Sequence, residues 1–446
     1  MLLCGGIGLT TPAEAAKLLR SRDYLRLLLV AALLGVPVSA FAYFFLALVS
    51  NVQHWLYQSL PSGLGLGTAP AWWPFPLLAV AGLLVALVIR YLPGTGGHSP
   101  ADGFHAGGGF APARELPGIF LAAVVTLGFG AVLGPEAPLI ALGGGLAAWA
   151  ISRARGEGAD RAKIVIASAG SFAAIATLLG SPLTSAFLLM EAAGLGGATM
   201  ELVLVPGLLA SGVGALVFTG LRDWTGLGSF SLSIPGLPHF TRPTVAEIGY
   251  ALLVGLAAAV VGLAIRRFGL LLRAWVQPRL LIATPLAGLA VAGLAVLFSQ
   301  VTGKGTQYVL FSGQSEIGLF VAKHATFAIG ALVLLLACKA AAYGVSLSSF
   351  RGGPIFPAIF IGGVAGAALS YLPGLPLVAA MGMGIGAMVT AMLRLPMTAV
   401  LLASLLLASD GIAVMPLVIV AVVTAYVAIA WLDPPASSPA AAPAPG

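Results

Sequence analysis

Two stretches of the chain decide its fold: residues 134–144 read GPEAPLIALGG, and residues 353–363 read GPIFPAIFIGG. Six of the eleven positions are identical, and the offset between the stretches is 219 residues without a gap. Proline fits the first turn of a helix, where its missing N–H costs nothing, and the preceding glycine lets another backbone approach closely. Each stretch therefore predicts a helix that begins inside the protein.

A second pair of motifs recurs in the same order along the chain. Residues 181–184 read SPLT and residues 395–398 read LPMT, and they follow the two Gly-Pro pairs by 47 and 42 residues. Interrupted helices in corresponding positions of two halves are typical of transporters, whose binding site lies between the repeats near the middle of the bilayer. The order of the motifs predicts two inverted repeats of tilted and broken helices.

The composition indicates a polytopic, all-α membrane protein. Hydrophobic residues make up 59% of the 446 positions and charged residues only 8%, whereas a soluble domain carries about 25% charged residues. A helix needs about 20 apolar residues to span a bilayer. Long apolar runs occupy residues 27–50, 74–92, 164–190, 246–265, 281–299, 326–345 and 412–432. Shorter runs, read as broken or re-entrant helices, occupy residues 117–133, 139–152, 355–371, 376–393 and 396–408.

The net charge of +7 is assigned to cytoplasmic loops and not to a nucleic-acid surface. Four basic residues precede the first apolar run, namely Lys17, Arg20, Arg22 and Arg26. They predict a multi-pass protein of the inner (plasma) membrane with a cytoplasmic N-terminus. The predicted organisation is a cytoplasmic segment 1–26, a first repeat 27–220, a loop 221–245, a second repeat 246–433 and a disordered Pro/Ala tail 434–446.

The helix starts within the repeat motifs favour a small inorganic anion as the transported species. The first four N–H groups of a helix lack internal partners, and with the helix dipole they present about half a positive charge. Two such ends could hold an anion without a fixed cation, and neither motif contains Lys or Arg. Conduction requires that exit be comparably easy to entry, which a fixed cation would oppose. No cofactor and no metal is predicted.

Glu136 is the main candidate functional residue, because a carboxylate inside the membrane is expensive and functional by default. Its charge mimics that of the anion, so it can occupy the anion's own site and leave it on protonation. A second candidate segment reads GTGGHSP over residues 94–100. Within it the hydroxyl of Ser99 can donate to an anion, and His98 can donate an N–H or titrate.

These motifs together resemble the chloride channel (CLC) family of channels and chloride/proton antiporters, over about residues 27–432. The resemblance implies a homodimer with one anion pathway per subunit, up to eighteen helices, and a gating glutamate at Glu136. It implies that Gly353, Ile355 and Phe356 form an anion-binding segment. Residues 97–100 take the place of the family's Gly-Ser-Gly-Ile-Pro segment with one residue fewer, and Ser99 is preferred over His98 as its serine because a hydroxyl keeps the chemistry.

The departures from the family pattern bear on proton coupling. Family antiporters carry a second, inner glutamate; the alignment places Ala192 there, with Glu191 immediately before it. One residue rotates a helical side chain by about 100°, so Glu191 is only a possible inner proton site. The family's C-terminal tyrosine has no match, and Pro135 replaces its usual arginine. We therefore expect chloride transport that is channel-like or loosely proton-coupled, with strictly coupled chloride/proton antiport as the alternative. Fluoride, bromide and nitrate stay open as the natural anion.

Two alternative functions lie outside anion transport. An intramembrane hydrolase would need a nucleophile and a base placed by a rigid scaffold, and neighbours such as His98 and Ser99 give poor geometry for such a pair. We therefore predict that the chain is not an enzyme. A transporter of cations or organic solutes is the other reading, and competition of chloride flux by such solutes would reveal it.

Overall fold

The computed structural model describes residues 19–104, 110–155, 160–194, 198–225, 233–240 and 242–433. Within these ranges the regular structure is helical, and β-type pairing is limited to one isolated bridge between two residues. Seven helical spans of the described residues are long and apolar enough to cross a membrane. The predicted all-α polytopic class is confirmed, and the chain is a multi-pass membrane protein. The predicted disordered tail at 434–446 lies outside the described residues.

Fifteen helices carry the architecture of the described ranges, and they are numbered here in chain order. The first seven are α1 (Arg22–His54), α2 (Pro74–Tyr91), α3 (Leu116–Gly128), α4 (Glu136–Arg155), α5 (Asp160–Leu179), α6 (Pro182–Ala192) and α7 (Ala198–Thr225). The remainder are α8 (Val245–Val276), α9 (Leu280–Thr302), α10 (Glu316–Lys323), α11 (Ile329–Ser349), α12 (Ile355–Leu369), α13 (Leu377–Leu393), α14 (Pro396–Leu406) and α15 (Gly411–Leu432).

The predicted single run at 164–190 is in fact two helices, α5 and α6. Gly180 has a φ of +61°, the left-handed conformation that ends a helix, and Pro182 begins the next one. The hydroxyl of Ser181 caps α6 by accepting a hydrogen bond from the N–H of Thr184 at 3.2 Å. The SPLT motif is therefore a helix start, as its repeat at 395–398 is for α14.

One membrane span is absent from the apolar runs predicted from the sequence. Helix α7 runs from Ala198 to Thr225 with Pro206 in its interior, and its apolar part is long enough to cross a bilayer. Proline is tolerated within membrane helices because neighbouring groups satisfy the freed carbonyl. The helix also continues past residue 221, where the loop between repeats was expected to begin, so that loop is shorter at its start than predicted.

The two repeats pack in the same way. Helix α4 lies against α5 and α12 lies against α13, while α5 contacts α7 and α13 contacts α15. The equivalent residues Gly143 and Gly362, 219 positions apart, mark the same close crossing in each half. An added Cβ would lie 2.7 Å from a backbone oxygen of α5 at Gly143 and 2.3 Å from one of α13 at Gly362. Only glycine permits these two crossings.

The two Gly-Pro motifs meet in the core. The N–H of Gly134 donates to the carbonyl of Gly353 at 2.8 Å, and the N–H of Gly353 donates to the carbonyl of Gly134 at 2.6 Å. This reciprocal bridge places the first residues of α4 and α12 beside each other. The duplicated sequence element therefore builds one shared centre from both halves of the chain.

Candidate functional site

Glu136 is the first residue of α4, and its side chain is fully buried. One oxygen, Oε1, accepts hydrogen bonds from the backbone N–H of Ile355 at 2.5 Å and of Phe356 at 3.1 Å. These are first-turn amides of α12, which have no partner within their own helix. The other oxygen, Oε2, is buried and has no hydrogen-bond partner among the described residues. A negative charge is therefore held by amides alone at the start of a helix.

Two glycines make room for this carboxylate. An added Cβ at Gly134 would lie 2.0 Å from Oε2 of Glu136, and one at Gly353 would lie 2.4 Å from the same atom. Real contacts are never that short, so a side chain at either position would displace the carboxyl group. The two motif glycines thus serve both the backbone bridge and the cradle around the charge.

A residue of α11 holds the start of α12 in place. The hydroxyl of Tyr343 donates to the carbonyl of Pro354 at 2.9 Å, immediately before the two amides that hold Glu136. The N–H of Gly353 is engaged in the bridge to Gly134, so this predicted anion-binding amide is already paired in this conformation. The amides that face the carboxylate belong to Ile355 and Phe356, the other two predicted positions.

Two cavities among the described residues are lined by sequence neighbours of Glu136. One has a volume of about 510 Å³, includes Pro135 and Glu316 in its lining, and is called the Glu316 cavity. The other has a volume of about 680 Å³, includes Ala137 and Ser99, and is called the Ser99 cavity. Pro135 and Ala137, the two sequence neighbours of Glu136, thus each line one of these cavities.

Ser99 and His98 both line the Ser99 cavity, but their surroundings differ. The Oγ of Ser99 is buried and has no hydrogen-bond partner among the described residues. The His98 side chain is exposed. The lining of the same cavity also contains Pro354, at the start of α12. The serine hydroxyl is therefore a donor without a partner among the described residues, in a cavity that also includes the residue before α12.

Glu191, near the end of α6, lies away from this centre and contacts the other repeat. Its carboxylate accepts hydrogen bonds from the N–H of Met397 at 3.0 Å, the N–H of Thr398 at 2.8 Å and the hydroxyl of Thr398 at 2.6 Å. Helix α14 begins after Leu395, which offers no capping oxygen. Glu191 thus caps α14 from the opposite repeat, much as Glu136 occupies the start of α12.

Three residues near the site were not found by sequence reasoning: Lys339, Tyr343 and Arg351. Lys339 is fully buried, and its Nζ donates to the carbonyls of Leu310 at 2.8 Å and Phe311 at 2.9 Å. A lone lysine inside the apolar run 326–345 was a usable signal, because buried charges in membranes are rare. Tyr343 and Arg351 contact residues that lie 11 and 256 positions away in the sequence, and no local pattern marks them.

Known proteins are similar to this chain in sequence and in fold. The family model described as "Voltage gated chloride channel" matches residues 77–429. The protein named "Putative ion-transport protein YfeO" of Salmonella schwarzengrund (strain CVM19633) is 30% identical over 354 residues, which cover 78% of this chain and 81% of the relative. Its counterpart in Salmonella paratyphi A shows the same identity and coverage.

Among solved structures, a slow cyanobacterial Cl⁻/H⁺ antiporter superposes with a TM-score of 0.74 at 20% identity, covering 92% of this chain and 95% of that one. A CLC-type fluoride/proton antiporter superposes with a TM-score of 0.66 at 19% identity, covering 90% and 95%. These two similarities establish the fold. The family model spans most of the sequence, so the predicted resemblance is confirmed, and the chain belongs to the voltage-gated chloride channel (CLC) family of anion transport proteins.

Proposed function

We propose that this chain transports chloride between the Ser99 cavity and the Glu316 cavity, with Glu136 as the gate. The observation that supports it most is the carboxylate of Glu136 on the amides of Ile355 and Phe356. A bare halide carries the same charge as a carboxylate and accepts the same hydrogen bonds. The anion and Glu136 therefore compete for one set of donors, and the path is open when the carboxylate leaves.

Protonation supplies a physical route for that departure. Hydrogen bonds to a charged acceptor are worth about 1.5–3 kcal/mol, and those to a neutral acceptor about 0.5–1.5 kcal/mol. A protonated Glu136 therefore holds the amides less tightly and yields them to an anion. Among the described residues no Lys or Arg donates to this carboxylate, so an anion in its place is held by partial charges only. Such a site releases its ion easily, as conduction requires.

Ser99 is the proposed second contact of the anion. Its hydroxyl is buried, lines the cavity and has no hydrogen-bond partner in the described part of the chain, so a chloride arriving there would satisfy it. His98 lines the same cavity from an exposed position and would meet the anion in a more hydrated state. We assign Ser99 as the anion ligand at this end of the path.

Transport is proposed to be channel-like or loosely coupled to protons. Ala192 has no carboxyl group at the position of the family's inner glutamate. The alternative is strict exchange of chloride for protons, the activity named for the cyanobacterial structural neighbour. Glu191 would then be the inner proton acceptor. Its carboxylate already accepts three hydrogen bonds from α14, and a proton would weaken them.

The test is a flux assay with purified protein in liposomes that records chloride and internal pH together. We expect chloride efflux well above that of empty liposomes, with little proton movement. Uphill proton uptake driven by a chloride gradient would replace the channel-like proposal with strict exchange. Inhibition of the flux by organic solutes or cations would favour a different substrate, and absence of chloride flux would end the proposal.

Assembly and orientation follow the family resemblance and the basic N-terminal segment. We propose a homodimer with one pathway per subunit, in the inner (plasma) membrane, with the N-terminus in the cytoplasm. With α1 and α2 as successive membrane spans that run in opposite directions, the Ser99 loop that follows α2 would open toward the cytoplasm. Mass determination of the detergent-purified protein tests the dimer, and protease protection of an N-terminal tag in sealed vesicles tests the orientation.

A further inference from the structure

The loop that carries Ser99 has an unusual backbone. Four successive residues have positive φ: Gly94 at 78°, Thr95 at 50°, Gly96 at 69° and Gly97 at 96°. A left-handed conformation is unfavourable for a non-glycine residue such as Thr95, because its Cβ crowds the following carbonyl oxygen. Conformations of this kind persist where surrounding contacts hold them. The position of the Ser99 hydroxyl therefore depends on the side chains that hold this loop in place.

Arg351 of the second repeat contacts the part of the loop that precedes Ser99. Its Nε donates to the carbonyl of Thr95 at 3.1 Å, and its Nη1 donates to the carbonyl of Phe350 at 3.2 Å. Its aliphatic stem packs on the loop as well, because an added Cβ at Gly96 would lie 3.5 Å from Cγ of Arg351. Arg351 lies only four positions before Ile355. One side chain thus links the Ser99 loop to the segment that leads into the α12 amides.

Arg273 of the second repeat contacts the part of the loop that follows Ser99. It forms an ion pair with Asp102, in the helical turn Pro100–Asp102 that directly follows the serine. The side chains of this pair are 25% and 47% exposed. Exposed ion pairs add little to stability, so the contribution of this contact is mainly geometric. Ser99 is held between two anchoring contacts, and both come from the opposite half of the chain.

Attraction of anions by these arginines explains the arrangement less well. Among the described residues that line the Ser99 cavity, the charged ones are two arginines and two carboxylates, namely Arg273, Arg351, Asp102 and Glu115. Their formal charges cancel, which leaves little net field to concentrate anions. Both arginines instead direct donors at groups of the Ser99 loop.

We propose that Arg351 and Arg273 are positioning residues that determine anion selectivity. They fix the distance between the Ser99 hydroxyl and the α12 amides, and so the size and hydration of the anion that can use both. This inference rests on the proposed function, in which Ser99 contacts the anion. A looser loop would let the hydroxyl adapt to larger or more hydrated anions and would flatten the preference.

The test measures the ratio of chloride to nitrate flux in liposomes for the wild type, Arg351→Lys and Arg351→Gln. Lysine keeps the charge but lacks the planar fork that reaches two carbonyls at once. Loss of one net hydrogen bond corresponds to roughly a two- to tenfold change, and we expect both variants to shift the ratio by that amount. Arg279→Gln is the matched control, since Arg279 is an exposed arginine beside the cavity lining and should leave the ratio unchanged.

A wild-type ratio in Arg351→Lys would overturn the inference, whether or not Arg351→Gln is altered, because charge alone would then suffice. Asp102→Asn provides a second measurement that leaves both arginines in place. It should shift the ratio in the same direction, and an unchanged ratio in that variant would equally overturn the assignment of Arg273. Monodispersity in detergent confirms that each variant is folded.

The same assay in a Ser99→Ala background separates this inference from the proposed function. Arg351 acts through Ser99, so Arg351→Lys should add no further change of ratio once the hydroxyl is gone. An equal additional shift would show that Arg351 acts independently of the serine. If Ser99→Ala itself leaves the wild-type ratio, the assignment of Ser99 in the proposed function fails, and the two outcomes are distinguishable.

Discussion

Replacement of Glu136 by glutamine should open the path and remove its pH dependence. The carboxylate makes two hydrogen bonds to backbone amides, and each would weaken by about 1 kcal/mol on becoming neutral. The amide nitrogen would take the place of Oε2, which has no partner among the residues that the structure describes, and a buried unpaired donor costs at least about 1 kcal/mol. The closed position would lose about 3 kcal/mol, so the anion's advantage in competing for the amides rises roughly 100-fold.

The assay is chloride efflux from liposomes over the range from acid to neutral pH. Wild-type flux should increase as the pH falls, because protonation releases the carboxylate. Glu136→Gln should show the high, acid-type flux at every pH. Glu247→Gln is the matched control, since Glu247 is also a buried carboxylate bonded to a backbone N–H at a helix start, that of Thr244. A wild-type pH profile in Glu136→Gln would refute the gating role.

Three further outcomes are expected. Ser99→Ala should change the anion preference while His98→Ala leaves it unchanged; the reverse result in competition assays with nitrate would move the ligand to His98. Glu191→Ala removes three hydrogen bonds from the start of α14 and should lower stability by about 1–3 kcal/mol, measured as earlier thermal unfolding in detergent, while an unshifted transition would argue against its capping role. Gly288→Ala places a Cβ 2.1 Å from the carbonyl oxygen of Leu78 and should lower the free energy of unfolding by about 1–3 kcal/mol. Gly293→Ala on the same helix is its control, because the added Cβ would lie 4.0 Å from the nearest atom. Equal unfolding temperatures for the two variants would contradict the packing argument.

The positions of prolines and glycines in the sequence predicted many of the helix boundaries. Pro182 and Pro396 begin helices as their positions in the motifs indicate, and the bounds of most apolar runs agree with the helices within a few residues. The errors arose where one signal overrode another. The apolar run 164–190 is continuous in hydrophobicity, so it gave no sign of the helix break at Gly180. Pro206 made α7 look interrupted in the sequence, because only tertiary neighbours decide whether a membrane helix tolerates a proline.

The chemistry of the site was predictable to the extent that it resides in the duplicated motif. Glu136, Ile355 and Phe356 are all motif residues, so the pattern could nominate both the carboxylate and its donors. Contacts that depend on how distant segments pack could not be read in this way. The bond from Tyr343 to Pro354 and the bond from Arg351 to Thr95 join positions that no periodicity relates.

The bridge between Gly134 and Gly353 has a consequence for the ancestry of the molecule. Each glycine donates to the other, which is the pattern made by two identical chains across a two-fold axis. A half-length ancestor could therefore have formed this centre by pairing with itself. Glu136 and Ile355 are the equivalent positions of the two halves, and in the present chain one contributes an acid and the other an amide. A single polypeptide permits this difference, since two identical chains would carry the same residue at this position.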